Sequence, residues 1–337
     1  MNLLKKLKRV LKELFVLKHR SESFTYHNIY DNNGLDGLLN SPKFSNLPSF
    51  QRFKLLRSIA KREWESQNKK IATDVAVKAL CVESNPNFAK WTAFRLFDIG
   101  FVTAALDLLE ENKSGFSLSD NERNRYIDIK EHKKFLNFKP EIPNARSAKY
   151  SSSDTKLLYV TASCLPYHTS GYTTRTHELL LSLKESGKQF IVLTRPGYPY
   201  DRKDSHRLPK REITHYDGID YHHIAKPSSK IKLGDYFNES SEKIARFAES
   251  HNVSLVHAAS NYVNAIPALF AAKMLGLRFQ YEMRGLWDMT RATKIECYKG
   301  SERYNVGISL EHYVARSADS IFSISIPLKS HLIEKKN

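Results

Sequence analysis

The first twenty residues carry apolar side chains at the spacing of one helix face and basic side chains on the other. The apolar positions are Leu3, Leu4, Leu7, Val10, Leu11, Leu14 and Phe15. This pattern predicts a basic amphipathic helix over residues 1–20. Adjoining apolar and basic faces favour binding to an anionic membrane surface. A helix that packs on its own protein would give a similar pattern, so both interpretations stay open.

Helical periodicity returns after a polar stretch. Residues 21–49 are rich in Asn, Ser, Gly and Pro, which is typical of a linker. Residues 50–138 have apolar positions at helical spacing and few glycines, so they predict a small helical accessory domain. The segment around Gly100 resembles a degenerate tetratricopeptide-type hairpin, although one repeat is too few for a solenoid. Residues 139–154 predict a second linker.

From residue 155 onward, short runs rich in β-branched and aromatic residues alternate with helical segments. The predicted strands are KLLYVTA, QFIVLT, IDYHHI, SLVHAA, RFQYEM and SIFSIS. This alternation is typical of βαβ units, so residues 155–337 predict an α/β fold in which a Rossmann-like parallel sheet has helices on both faces. The longest uncharged run, residues 253–272, contains Pro267 and several polar residues, and it predicts a buried strand and a helix rather than a membrane span.

Net charge is the unusual feature of the composition. Lys and Arg outnumber Asp and Glu by 53 to 36, which gives a formal charge of +17. A net positive charge of this size creates an electrostatic field that attracts phosphate-bearing partners, whether nucleic acid, anionic lipid or nucleotide sugar. The sequence has no nucleic-acid recognition motif and no basic stripe interleaved with aromatic residues, so we expect no nucleic-acid partner.

Cysteine usage and the N-terminal pattern bear on the compartment. Cys81, Cys164 and Cys297 are far apart and lie in no CxxC or Cys/His cluster, which argues against a disulfide framework or a structural zinc. Lysines interrupt the N-terminal apolar residues and no small-residue cleavage site follows, so a signal peptide is not expected. We therefore expect a cytoplasmic protein that lies peripherally on the inner face of the plasma membrane if residues 1–20 bind lipid.

Ligands of an open parallel sheet bind beyond the carboxyl ends of its strands, so the loops after strands hold the candidate site residues. The first loop carries His168, Ser170, Gly171 and Arg175. The helix after this loop would direct free N–H groups at an anion such as a diphosphate. A plain tight turn is the alternative. The loop has no GxGxxG fingerprint, which disfavours a nicotinamide enzyme.

Two further loops supply candidates for the acceptor side of a site. Arg195 lies in the turn TRPGYPYD, which two prolines and a glycine make rigid. His257 ends a buried strand, and Asn261 follows it in HAASNY. A lone histidine at such a position is more often a hydrogen-bonded core residue than a ligand.

The last candidates follow the strand RFQYEM in the segment YEMRGLWDMT. Glu282, Arg284 and Trp287 crowd the end of this strand. A charged pair beside an aromatic residue can grip sugar hydroxyls. A plain structural ion pair between Glu282 and Arg284 fits the same pattern.

Four of these motifs together resemble the N-terminal half of family-4 glycosyltransferases of the GT-B fold, particularly the bacterial polysaccharide enzymes. They are PYHTSGYTTRT, TRPGYP, HAASNYVNAIPAL and YEMRGLW, in the family's order within residues 155–337. The resemblance implies a retaining hexosyltransferase that moves a sugar from a nucleotide-diphosphate donor to a saccharide or lipid-linked acceptor, with no obligatory metal and no cofactor. It says nothing about the first 150 residues.

The same resemblance implies residue roles. In the family, the first loop approaches the donor phosphates and the acceptor, which carries over to Ser170, Gly171 and, more loosely, His168. Ser170 stands where the family has the first glycine of a pair. Its side chain limits how closely the backbone of this loop can approach a ligand. Arg284 stands at a strand end that holds a histidine in many relatives, which implies an acceptor or leaving-phosphate contact rather than a base.

The sequence ends about where the family's second, nucleotide-binding Rossmann domain should begin. Stabilising the leaving diphosphate is the main electrostatic task in such a reaction, so we expect the chain to be inactive alone. A fragment, a split enzyme completed by a donor domain or protein partner, and a non-catalytic remnant all fit. The main alternative to an enzyme is an acceptor-binding or scaffolding module at the membrane.

Overall fold

The computed structural model describes residues 25–145, 155–202, 209, 211–229 and 232–334. The predicted amphipathic helix of residues 1–20 and most of the second predicted linker lie outside the described residues. The chain divides into two compact units. The first unit contains Met1–Lys130 and Ile295–Ser301, and the second contains Glu131–Lys294 and Glu302–Asn337.

The described part of the first unit is helical. Its helices are α1 (residues 25–39), α2 (Pro42–Ser45), α3 (Ser49–Glu65), α4 (Lys69–Val82), α5 (Pro86–Asp98), α6 (Val102–Glu111) and most of α7 (Asp120–Phe135). Phe53, Leu56, Ile59 and Val75 are buried in its core. A Cβ at Gly100, between α5 and α6, would collide with Tyr298 and Ser301, so only glycine lets the segment Ile295–Ser301 pack there.

Residues 25–39 differ from the predicted linker of residues 21–49, because they form α1. Tyr30 and Leu38 are buried in the core of the first unit. Ile29 and Leu35 pack against the same core. Burial of these apolar side chains outweighs the low helix propensity of the asparagines and glycines between them.

The second unit is built on a seven-stranded sheet. In chain order its elements are β1 (Leu157–Thr161), α8 (Gly171–Glu185), β2 (Phe190–Thr194), β3 (Ile213–Tyr216), β4 (Ile219–His222), α9 (Leu233–Ser250), β5 (Leu255–Ala259), α10 (Tyr262–Met274), β6 (Arg278–Met283), α11 (Trp287–Lys294), α12 (Glu302–Ser317), β7 (Ser320–Ser323) and α13 (Ile326–Glu334). The strand order is β3-β4-β2-β1-β5-β6-β7. All described pairings are parallel except that of β3 with β4.

Helices cover both faces of this sheet. Successive strand residues point to opposite faces, so neighbouring residues of one strand pack against different helices. Leu158 and Val160 pack into a cluster with α9, α10 and α12. Tyr159, between them, packs into a second cluster that includes Leu180 of α8. The predicted fold class, a Rossmann-like layer preceded by a helical region, is confirmed.

Strand β3 is the part of the sheet that the sequence analysis missed. It forms an antiparallel hairpin with β4, and the turn residues Asp217 and Gly218 have φ values of 44° and 75°. Two successive residues with positive φ are typical of a tight hairpin turn, and Asp-Gly is its usual sequence signal. The sheet is therefore parallel with one antiparallel edge strand rather than parallel throughout.

The division between the two units falls inside α7. Phe135, at its end, and Phe138 stack on each other with ring centroids 5.1 Å apart, and both contact Phe237 of α9 within the second unit.

Among the described residues, no helix is long and apolar enough to cross a bilayer.

Candidate functional site

Polar side chains gather on the α8 face of the sheet, where β1, β5 and β6 lie side by side. Tyr159 of β1 is paired in register with His257 of β5, and Glu282 of β6 is paired with Ala259. Arg284 follows the last residue of β6. The sheet register therefore brings together three residues that the sequence motifs predicted, His257, Glu282 and Arg284, and adds Tyr159.

Arg284 joins the end of β6 to the first turns of α8. Its Nη2 atom donates to Oε2 of Glu282 and to the Tyr159 hydroxyl, both at 2.7 Å. Its Nη1 atom donates to Oγ1 of Thr176 at 2.7 Å and to the Tyr172 carbonyl at 2.9 Å. The side chain is only 2% exposed, and Nε is buried without a partner. The structure therefore contains the ion pair between Glu282 and Arg284 that was one of the two predicted interpretations. Both terminal nitrogens of Arg284 already have hydrogen-bond partners within the protein.

Glu282 is the centre of the network. Its carboxylate accepts from Arg284, from the Tyr159 hydroxyl at 2.9 Å and from Nε of Arg175 at 3.2 Å. Burial alone would raise the pKa of Glu282, but hydrogen bonds from His257 and Arg284 and the charge of Arg284 together lower it. The carboxylate is therefore ionised at neutral pH and holds its neighbours in place rather than delivering a proton.

His257 lies in the sheet as a hydrogen-bonded core residue. Its Nδ1 atom is 3.2 Å from Oε1 of Gln280, and its Nε2 atom is 3.5 Å from Oε2 of Glu282. Its ring packs on Tyr159 with centroids 4.7 Å apart. This placement favours the structural alternative for His257 over a direct ligand contact.

The N-terminal turn of α8 is capped but open in front. Ser170 accepts a hydrogen bond from the Thr173 amide, and the Thr173 hydroxyl accepts one from the Ser170 amide, which makes a capping box. Serine at the family's glycine position therefore has a local structural role. A Cβ at Gly171 would meet nothing within 4 Å, so the described residues leave the side of the first turn at Gly171 open.

Arg175 lies one turn into α8, beside this opening. Its Nε atom binds Glu282, and its side chain is 54% exposed. Within the described residues, its terminal nitrogens have no carboxylate or carbonyl partner. Because Gly171 and Arg175 are four residues apart, they lie on the same side of α8. The helix N-terminus and the guanidinium group both attract anions.

The N-terminus of α10, after β5, is occupied by a residue that the sequence analysis missed. Glu311 of α12 accepts a hydrogen bond from the Tyr262 amide at 3.0 Å and another from the Tyr281 hydroxyl. Burial raises the pKa of Glu311 to about 7. Asn261 is the N-cap residue of α10 and makes no side-chain capping bond. The Glu311 carboxyl group thus occupies the place at the N-terminus of α10 where an anion would bind. The corresponding place at the N-terminus of α8 is open.

Arg195 is held by a partner that does not belong to the Glu282 network. Its Nη1 and Nη2 atoms bind Oδ2 and Oδ1 of Asp201 at 2.7 and 3.0 Å. Asp201 also accepts from the amide and hydroxyl of Ser229. His168 is half-buried, and its amide closes a turn onto the Cys164 carbonyl at 3.1 Å. No contact among the described residues joins Arg195 to Glu282.

Trp287 lies at the start of α11 with 53% of its surface exposed. Its ring meets Tyr172 of α8 edge-on, with centroids 6.2 Å apart. A Cβ at Gly285 would lie 3.0 Å from the Tyr172 hydroxyl, so glycine at this position lets the tyrosine come close. The exposed Trp287 therefore packs against the half-buried Tyr172 of the N-terminal turn of α8.

Residues 170–337 match the family model of the glycosyl transferase 4-like domain. These residues belong to the glycosyl transferase 4-like family. The match begins at the N-cap of α8 and includes Arg175, Glu282, Arg284 and Trp287. The resemblance to family-4 glycosyltransferases stated from the sequence motifs is confirmed for this segment, which contains β2 to β7 of the described sheet. Tyr159 and β1 precede the matched residues.

Two solved structures align with the chain at low identity. MurG of Acinetobacter baumannii is 15% identical, with 51% of this chain and 42% of that chain covered and a TM-score of 0.31. An O-GlcNAc transferase variant of Thermobaculum terrenum is 9% identical, with 82% of this chain and 55% of that chain covered and a TM-score of 0.25. This chain thus spans about half the length of either protein. No curated protein sequence matches it.

Proposed function

We propose that the glycosyl transferase 4-like domain supplies the acceptor side of a retaining hexosyltransferase. This enzyme would move a sugar from a nucleotide-diphosphate donor to a saccharide or lipid-linked acceptor in bacterial surface polysaccharide synthesis. The observation that carries the proposal is the open N-terminal turn of α8, with Arg175 beside it and the exposed Trp287 at its rim.

Anion binding at this turn is supported by the charges around it. The positive end of the helix dipole and the free end of Arg175 favour a phosphate group, and no carboxylate among the described residues is bonded to the terminal nitrogens of that arginine. Glu282 and Arg284 lie behind the turn and neutralise each other. We therefore assign phosphate contact to Gly171 and Arg175, and we assign a positioning role to Arg284.

Sugar binding is supported by the aromatic pair. Trp287 exposes an apolar ring face beside polar groups, and ring faces of this kind pack against the C–H face of a sugar while polar neighbours bind its hydroxyls. Tyr172 holds the indole from one side through an edge contact. We therefore place the acceptor sugar at Trp287.

The phosphate assignment is tested by calorimetric titration of the full chain with inorganic pyrophosphate and with uridine diphosphate. We expect saturable binding that Arg175→Gln weakens by about tenfold, since one charge-assisted hydrogen bond contributes roughly 1.4 kcal/mol. Lys188→Gln removes an exposed charge from the loop before β2 and is the matched control. Equal affinity of the wild-type and Arg175→Gln chains would contradict the assignment.

Turnover separates the enzyme from the binding-module alternative, which the exposed Trp287 also favours. The full chain is incubated with a panel of nucleotide sugars and lipid-linked saccharides, once alone and once with a separately expressed nucleotide-binding domain of a glycosyltransferase, and products are measured by mass spectrometry. A glycosylated acceptor in either incubation supports the transferase. Saccharide binding that Trp287→Ala abolishes, without any product in either incubation, supports an acceptor-binding module.

Membrane association through residues 1–20 is a separate proposal that rests on the sequence pattern. Sedimentation with anionic vesicles tests it, with zwitterionic vesicles as the control. We expect retention on anionic vesicles that deletion of residues 1–20 abolishes. Equal retention of the deleted chain would contradict the proposal.

A further inference from the structure

His312 of α12 and His331 of α13 face each other through their ring nitrogens. Their Nε2 atoms are 3.1 Å apart, whereas the centroids of the two rings are 5.1 Å apart. The rings therefore meet at their nitrogen edges and do not stack face to face. Both helices belong to the second unit, and 19 positions along the chain separate the two histidines.

Apolar contacts of the two helices hold this pair in place. Ile308 of α12 and Leu328 of α13 pack against the core of the second unit. Ile308 precedes His312 by four residues and Leu328 precedes His331 by three, so each histidine lies on the same helix face as an apolar anchor. Packing against one core therefore brings the two imidazoles together without a ligand.

The pair lies at the protein surface and not in the closed core. His312 is buried, with 8% of its surface exposed, and His331 is half-buried. Solvent therefore reaches one side of the pair. Water from that side can complete the coordination of an ion that the two imidazoles hold.

Another buried histidine of the same unit shows the contrast. Nδ1 and Nε2 of His223 lie 2.8 and 2.9 Å from the hydroxyl oxygens of Thr194 and Thr214. Hydroxyl groups thus hold both of its ring nitrogens inside the protein. Nε2 of His312 instead faces the nitrogen of a second imidazole, and the imidazole is the side chain that most often binds metal ions.

The distance between the two Nε2 atoms is close to that of two ligands on one zinc ion. Zn–N bonds are about 2.0–2.1 Å long and the geometry is tetrahedral, so two coordinating nitrogens lie about 3.3 Å apart. Side-chain rotations that separate the nitrogens by about 0.2 Å would meet this requirement. A hydrogen bond between two neutral imidazoles fits the same distance, and it is the alternative that an experiment has to exclude.

The described residues supply two protein ligands at this place. Among them, no group of three or more histidine, cysteine, aspartate or glutamate side chains could hold a metal ion. Two positions of a tetrahedral zinc ion would therefore be left to water. Such a site exchanges its metal with solvent more readily than a closed structural site does.

We propose that His312 and His331 form a zinc-binding site that joins α12 to α13. Imidazole nitrogens suit Zn²⁺, whereas the hard ions Mg²⁺ and Ca²⁺ prefer oxygen ligands. An ion that binds the folded chain at both helices stabilises the packing of α13 on the second unit. The proposal does not rest on the proposed function, because neither histidine is among the residues assigned to phosphate or saccharide binding.

Calorimetric titration of the full chain with zinc chloride tests the proposal. The chain is first treated with a chelator and desalted, and the buffer contains no component that binds zinc. We expect saturable zinc binding and a melting temperature that rises with the zinc concentration. Magnesium chloride at the same concentrations should leave the melting temperature unchanged.

Substitutions then assign the bound zinc to this pair. His331→Gln should weaken the zinc affinity at least tenfold and remove most of the rise in melting temperature, because loss of even an outer-shell partner costs about 10–100-fold in metal affinity. His215→Gln, which removes a histidine that is 68% exposed on β3, is the matched control and should bind zinc as the wild-type chain does.

His312→Gln should have the same effect on zinc binding as His331→Gln. Circular dichroism checks that each variant is folded, and the half-buried His331 carries the test if the His312 variant is not. The proposal is overturned if the wild-type chain shows no saturable zinc binding. It is also overturned if a folded His331→Gln chain binds zinc as tightly as His215→Gln, since the two imidazoles would then share only a hydrogen bond.

Discussion

Arg284 and Thr176 are 108 residues apart in the chain, yet Nη1 of the arginine lies 2.7 Å from Oγ1 of the threonine. This hydrogen bond and the one to the Tyr172 carbonyl tie the end of β6 to the first turns of α8. The position of the open turn at Gly171 therefore depends on a buried ion pair behind it. Arg284 sets where a ligand would meet the helix, whether or not it touches that ligand.

Removing Arg284 should destabilise the second unit strongly. Arg284→Met leaves the buried Glu282 carboxylate without its main partner, and we expect the free energy of unfolding to fall by about 3–5 kcal/mol. Urea denaturation followed by circular dichroism measures the change. Arg316→Met, at an exposed position of α12, is the control and should change the free energy by less than about 0.5 kcal/mol.

A double variant separates the ion pair from simple loss of packing. Glu282→Gln combined with Arg284→Met removes both charges, so no buried charge is left unpaired. We expect the double variant to lose less stability than the sum of the two single variants. Additive losses would show that the charges of Glu282 and Arg284 are not coupled.

Glu311 should make stability depend on pH between about 4.5 and 7. Burial raises its pKa in the folded chain to about 7, above the value near 4.5 of an exposed glutamate. The folded state therefore binds the proton more tightly than the unfolded state. The contribution is complete below pH 4.5 and is lost as the pH rises through 7, with a size on the order of 3 kcal/mol.

The measurement compares the wild-type chain with Glu311→Gln across this pH range. Glutamine can accept from the Tyr262 amide and stays neutral, so the variant should lose this part of the pH dependence while the histidines titrate as before. Glu282 does not interfere, because its lowered pKa places its effect at more acidic pH. Parallel curves for the two chains would contradict the assignment to Glu311.

The sequence predicted the ends of the strands better than the contacts between them. Alternating strands and helices indicated the parallel sheet, and the motif YEMRGLW indicated Glu282 and Arg284 as a pair. Parallel strands bring their carboxyl ends to one edge, so His257 could be placed near Glu282 from strand order alone. The hydrogen bonds to α8 could not be predicted, because they depend on how that helix crosses the sheet.

Glu311 and Arg195 show what sequence patterns leave out. Glu311 lies between Leu310 and Val314 on the buried face of α12, so helical spacing could have marked it as an unusual core carboxyl group. Its partner Tyr281 could not be identified, because it comes from another strand. Arg195 was proposed for the acceptor side from its loop, but the turn folds Asp201 back onto it.

Two glycines of the second unit should respond oppositely to alanine. A Cβ at Gly171 meets no atom within 4 Å, so Gly171→Ala should keep or raise stability, by about 0.4–1 kcal/mol. Gly197 has a φ of 91°, and a Cβ there would lie 2.5 Å from the Pro227 carbonyl oxygen. Gly197→Ala should therefore lower the melting temperature clearly.

Gly171→Ala also tests the phosphate site, because it places a methyl group beside the open first turn of α8. We expect this variant to bind pyrophosphate more weakly than the wild-type chain while remaining at least as stable. Calorimetry and thermal unfolding on one preparation measure both quantities. Unchanged pyrophosphate affinity in a folded Gly171→Ala chain would place the phosphate elsewhere.

Trp287→Ala should affect acceptor binding and leave the fold intact. The indole is about half exposed and touches Tyr172 only edge-on, so its removal should cost less than about 1 kcal/mol of stability. Loss of a sugar-stacking face should instead raise the acceptor Kd or KM by about tenfold, with kcat little changed where turnover is measurable. Trp287→Phe keeps an aromatic face and should recover most of the affinity. A Trp287→Ala chain that binds saccharide as tightly as the wild type would remove the aromatic pair from the acceptor site and leave only the α8 turn and Arg175 to define it.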